Sequence, residues 1–239
     1  MRTQTIFTMM VLLLAFGIAG YAQVPDRSGK TRTNPPKKNS SPSAIDLQAG
    51  SSGSYEEDGL PGRKGSAYLQ PQFIKGVIAF NDGSRVEGKP MRYNLYTQQM
   101  QFIEDNDTLA LGNPGEIDFI RIADKVFVYT DYLHQGEHQS GYFELLEDGD
   151  CRLLKRWVAL YHEVGRDNGS GADSFYRDCN CYLQFYMNPA TPVQNKRRDF
   201  AMSFASNGDD VMDFMKDVKL KPKNESDLIR IVEYYNSLQ

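Results

Sequence analysis

The chain has 239 residues, 27 Lys and Arg against 31 Asp and Glu, and a formal net charge of −4. That length suits one domain with extensions. So mild a charge gives no reason to expect a nucleic-acid partner.

Taken in order, residues 1–22 read as a secretory signal peptide. Arg2 supplies the short positive end, Met9 to Ala19 the apolar core, and Gly20-Tyr21-Ala22 the small residues that a signal peptidase reads. The apolar run is shorter than the roughly 20 residues a spanning helix needs. No Cys stands at the cleavage point to carry a lipid, and no later run could cross a bilayer as a helix. Cleavage after Ala22 removes one positive charge, Arg2, so −4 becomes −5. The expected location is the periplasm or cell envelope, with no transmembrane span left after cleavage. Residues 23–66 read as a disordered linker. They are crowded with Ser, Gly, Pro, Lys and Asn, their apolar residues stand singly, and such a segment cannot bury enough surface to offset its ordering entropy. A β-rich globular domain is expected over residues 67–239.

Tyr68 to Thr130 reads as a β-meander. Ile74, Gly76, Ile78 and Phe80 alternate along one strand. Asn81-Asp82-Gly83-Ser84 then supplies a hairpin turn, because Asp and Gly tolerate positive φ. Val86 to Asn94 is the return strand, with Pro90 predicting an edge or a bulge. Met100 and Phe102 alternate with polar neighbours. Glu104 to Asp107 turns the chain into Thr108 to Leu111, and Asn113-Pro114-Gly115 breaks it again. Ile117, Phe119 and Ile122 make the next strand, and Asp124-Lys125 turns into Val126 to Tyr129.

From Asp131 to Ser140 the pattern lapses into what reads as a polar loop. Tyr142 to Leu146 and Cys151 to Lys155 then flank Glu147-Asp148-Gly149-Asp150, a second Asp-Gly hairpin. Its return strand can continue through Trp157, Ala159 and Tyr161. Arg166 to Ser174 is a loop by composition. Phe175 to Met187 is an aromatic-rich strand ended by Pro189 and Pro192. In the tail, Val211, Phe214, Met215 and Val218 fall on one helical stripe, as do Leu228, Ile231, Val232 and Tyr235. Ser206 or Asn207 would cap the first helix and Asn224 the second, with Asp227 placed as in a capping box. Helices this short need a surface to lie on. The expected fold is therefore α+β: a mainly antiparallel β-meander sheet with two C-terminal amphipathic helices, at about residues 207–238, packed on it.

Tyr68-Leu69, Pro71, Phe73, Gly76, Met100-Gln101-Phe102-Ile103, Asp107 to Leu111 and Asn113-Pro114 with Glu116-Ile117-Asp118 resemble a family of uncharacterised secreted proteins of Bacteroidota-type bacteria. The tail Asp227-Leu228-Ile229 with Val232-Glu233-Tyr234-Tyr235-Asn236 is similar to the end of those proteins. The resemblance covers the chain from Tyr68 onward. It implies an envelope location and a β-rich domain, and it carries no activity and no binding residues.

Motifs that make an enzyme legible are missing. There is no phosphate-binding loop, dinucleotide fingerprint, zinc-protease helix or Gly-x-Ser-x-Gly elbow. Asp105, Asn106 and Asp107 lack calcium-loop spacing and read as a turn. His134, His138 and His162 read as solvent-facing. No cofactor, catalytic residue or metal ligand is assigned. Cys151, Cys179 and Cys181 are candidate disulfide partners, since an exported chain meets an oxidising compartment. Cys151 is expected to join Cys179 or Cys181, because same-face strand positions two apart lie at the limit for a direct bond. The alternative is a redox or metal pair at Cys179 and Cys181. Tyr182, Phe185 and Tyr186 are candidates for an exposed aromatic binding surface. The reading is an exported envelope protein of non-catalytic binding or structural role, with an envelope protein or surface polymer as partner. The alternative is an exported hydrolase with a site assembled across the sheet.

Overall fold

The computed structural model describes residues 65–163 and 173–238. The signal-peptide reading of residues 1–22, nearly all of the 23–66 linker and most of the 166–174 loop lie outside the described residues.

Ten strands form one antiparallel sheet: β1 Ile74–Phe80, β2 Arg85–Asn94, β3 Gln99–Glu104, β4 Asp107–Ala110, β5 Ile117–Ile122, β6 Lys125–His134, β7 Glu137–Glu147, β8 Cys151–His162, β9 Ser174–Phe185 and β10 Thr191–Pro192. Their spatial order is β10-β9-β8-β7-β6-β5-β1-β2-β3-β4. Local turn chemistry accounts for most of this path. Gly83 takes φ 83° in the first hairpin, and Asp105 and Asn106 take φ 48° and 71° in the third. Two successive positive φ values define the primed turn that suits strand twist. The strand carrying Pro90 is bulged, as expected. Gly76 pairs with Lys89 and Val77 with Glu87, which leaves Gly88 over at φ 73°. Pairing with β3 begins only at Met91, so the proline's missing donor breaks no ladder bond on that side.

Residues 131–140, expected as a loop, are instead the end of β6, a Gln135-Gly136 turn at φ 52° and 86°, and the start of β7. The segment looked irregular because most of its side chains face solvent. Tyr132, 1 % exposed, is the one large side chain it buries. The chain also returns after β9. Thr191 and Pro192 pair with Leu183 and Tyr182, and Ala190 bridges Tyr132 in parallel. Strands β6 to β10 therefore close into a ring. Inside it Tyr132, Phe143 and Tyr182 meet edge to face, with centroids 5.2, 5.7 and 5.2 Å apart. Gln184 of β9 donates across the ring to Thr130 of β6 at 2.8 Å.

The other side of the sheet is closed by curling. Ala159 N–H donates to the Leu95 carbonyl at 3.1 Å, and Gln98 Nε2 donates to the Trp157 carbonyl at 2.9 Å. The far part of β8 thus meets the β2–β3 turn, although four strands separate β8 from β2 in the sheet. The space between holds the main core of Met91, Tyr93, Met100, Phe102, Ile120, Phe127 and Tyr142.

Three helices follow: α1 Arg197–Met202, α2 Gly208–Asp217 and α3 Glu225–Asn236. Both expected helices are present, and α1 is an addition. Val211 and Met215 are buried as the stripe predicts, whereas Val218 is exposed and follows the last residue of α2. Leu228, Ile231, Val232 and Tyr235 are all buried against Cys151, Leu153 and Leu183. Asn224 Oδ1 accepts from Ser226 N–H at 3.0 Å, the expected cap. Asp227 does not complete a capping box. Its Oδ2 accepts from Lys221 N–H at 3.0 Å. Neither Ser206 nor Asn207 caps α2.

Candidate functional site

The inner face of the sheet carries two apolar clusters, the main core and the helix-covered one. Between them runs a row of polar side chains set by strand register. Glu144 of β7 lies opposite Lys155 of β8, and Lys155 lies opposite Cys181 of β9. One row further, Trp157 lies opposite Cys179. Period-two alternation puts all five on one side.

Each charge in the row has a counterpart. Glu144, 6 % exposed, receives Lys125 Nζ at 2.5 Å and Trp157 Nε1 at 2.6 Å. Lys155 Nζ lies 2.5 Å from Glu225 Oε2, at the first turn of α3, and 4.0 Å from the Trp157 ring centroid. Burial works against the Lys155 charge. The hydrogen bond and negative charge of Glu225 outweigh it, so the ammonium is held above its ordinary range. The row is thus a neutralised belt that admits charge between two apolar layers. Lys155 on the otherwise apolar face of β8 (Cys151, Leu153, Trp157, Ala159) was the sequence signal for it, but Glu225 comes from 70 residues away.

The belt opens into a cleft of about 460 Å³ lined by His134, Cys179, Cys181, Val193, Glu225 and Leu228, among others. One wall is the edge of β9. Val193 N–H donates to the Cys181 carbonyl, so the odd-numbered backbone groups of β9 point away from β8. Beyond β10, which pairs only with Leu183 and Tyr182, no described strand takes up Arg177 or Cys179. Cys179 N–H bonds the Asp178 side chain at 2.8 Å instead.

The predicted disulfide is not formed: Cys151, Cys179 and Cys181 are free thiols. Register rules out the expected pairing. Cys151 lies opposite Phe185, four residues from Cys181, or about 13 Å along the strand, against a usual limit of about 6.8 Å. Cys151 is sealed under α3, and burial pushes its thiol up to about 12. Cys179 is exposed and Cys181 half-buried. Burial pushes the Cys181 thiol up to about 11.

The aromatic surface is likewise dispersed. Tyr182 is 3 % exposed, inside the ring. Phe185 packs at 5.6 Å against Phe204 and 5.8 Å against Tyr235. Of the three, only Tyr186 is exposed. Consecutive strand residues point to opposite faces, and each face is covered by a different structure. His134 reaches the cleft, His138 lies across from Leu133, and His162 meets the Tyr176 ring edge-on. Among the described residues no three His, Cys, Asp or Glu side chains are grouped to hold a metal, and no helix is long and apolar enough to cross a membrane.

These features define an antiparallel β-sheet protein with carboxy-terminal helices, whose neutralised polar row opens into a thiol-lined cleft. No family model matches the chain, and no curated protein or solved structure matches it.

Proposed function

We propose that this is an exported cell-envelope protein that binds a partner without transforming it. The observation that carries the reading is the state of the carboxylates beside the cleft. Glu144 is engaged by Lys125 and Trp157, and Glu225 by Lys155. A hydrolase of the glycosidase kind needs two carboxyl groups facing substrate, and a carboxylate committed to a lysine ammonium serves packing rather than proton transfer. The β9 edge at Arg177 and Cys179, which no described strand takes up, favours an extended peptide segment of an envelope protein, because strand addition satisfies such an edge. Location rests on the signal-peptide pattern of residues 1–22.

A photoreactive side chain at exposed Asn180 is the direct test. In intact cells it should crosslink to an extended segment of an envelope protein, and panels of ester, glycoside and peptide substrates should show no turnover. Turnover that is lost on Glu225→Gln would replace this reading with the hydrolase.

A further inference from the structure

We propose that Cys179 and Cys181 form a two-thiolate site for a soft monovalent cation of the copper(I) class. Both side chains line the cleft, both are free thiols, and Cys179 is exposed. They stand two apart on a strand in unbroken register with β8, so their Cβ atoms point the same way about 6.6–6.8 Å apart. A disulfide needs Cβ atoms about 3.8 Å apart, which this ladder denies without breaking. A sulfur–metal–sulfur bridge is longer. With metal–sulfur bonds of about 2.3 Å it spans about 4.6 Å, which two Sγ atoms leaning toward each other can reach from unmoved backbones.

The donor set selects the cation. Zinc in a structural site takes four ligands, and among the described residues no group of three metal-binding side chains is present. Soft thiolates favour copper(I), a cation that two sulfurs can satisfy. Binding releases two protons. The neutral thiols and one monovalent cation give a bis-thiolate complex of charge −1 and two protons to solvent, with no redox change, so affinity rises with pH. Nothing in this site depends on the proposed partner, and the two readings stand or fall separately.

The test uses the reduced, full-length chain titrated with copper(I) against a competing chromogenic chelator. One ion should bind per chain. Cys179→Ser and Cys181→Ser should each weaken binding by more than about 100-fold, the upper range for disturbing only a ligand's supporting shell. Cys151 stays in place in both variants as a single-thiol control, and matching melting curves check their folds. Full affinity in either variant, or unchanged binding in the double variant, would overturn the site. So would rapid formation of a Cys179–Cys181 disulfide under mild oxidation, since it would show that the strand does not hold the sulfurs apart.

Discussion

Two faces of the same three strands make opposite use of adjacent residues. Phe143, Leu154 and Tyr182 point into the ring formed by β6 to β10 and pack together there. Their chain neighbours Glu144, Lys155 and Cys181 point to the other side and make the polar row. One residue of register separates an apolar centre from a charged belt. The difference follows from what covers each face. The ring is closed by backbone bonds through Ala190, so Phe143 and Leu154 are 0 % exposed and Tyr182 only 3 %. The opposite face lies at the seam between the curled sheet and α3, where the cleft admits water. There a lysine and a glutamate persist if each has a partner.

The largest expected effect tests the sealed face. Phe143→Ala removes a ring that is 0 % exposed and should cost about 3–5 kcal/mol, read as a drop in the urea midpoint. On the polar face, Glu144→Ala leaves Lys125 and the Trp157 N–H without their acceptor and should cost about 1–3 kcal/mol. If it costs more than Phe143→Ala under the same denaturant, the belt rather than the ring organises these strands, and the comparison is inverted. A smaller effect sharpens the role of α3 as the lid of the polar face. Asn224→Ala removes its cap and should cost about 1 kcal/mol. Hydrogen exchange should quicken at the first turn of α3 while ring amides stay protected. Equal loss in both places would mean that helix and ring unfold as one.

The last effect shows its pH dependence only in alkaline solution. Burial raises the Cys151 thiol to about 12, above its unfolded value of about 8.5. The unfolded chain therefore ionises first as pH rises. The contribution of the thiol is whole below about pH 8.5 and is lost progressively toward pH 12. Wild type and Cys151→Ala should thus converge in stability as alkalinity increases. A constant gap across that range would show that the thiol is not sealed beneath α3.

Much of the amino-terminal meander could be read directly. Asp82-Gly83, Asp105-Asn106, the bulge before Pro90 and the α3 stripe are local chemistry, decided by residues within a few positions of one another. The 131–140 hairpin was missed because a strand pair facing solvent keeps little apolar pattern and its turn is Gln-Gly rather than Asp-Gly. Helix α1 was missed because its apolar contacts, Phe200 and Ala201, are too few to show a period. The thiol pair was visible as Cys-Asn-Cys, but its separation from Cys151 depends on the register of β8 with β9.

By itself the sequence determined the class of the fold, most turns, the two longer helices and the missing enzyme motifs, because these depend on φ preferences and side-chain periodicity. Only the tertiary structure decided that β10 returns to β6, that the sheet curls until Ala159 meets Leu95, and that Asn236 acts as a strand partner. The Asn236 amide accepts from Cys151 N–H at 2.9 Å and donates to the Cys151 carbonyl at 3.0 Å. Tertiary structure likewise placed Glu225 on Lys155. Each of these joins residues that are tens of positions apart. Periodicity says which face a side chain takes, whereas chain closure alone says what that face will meet.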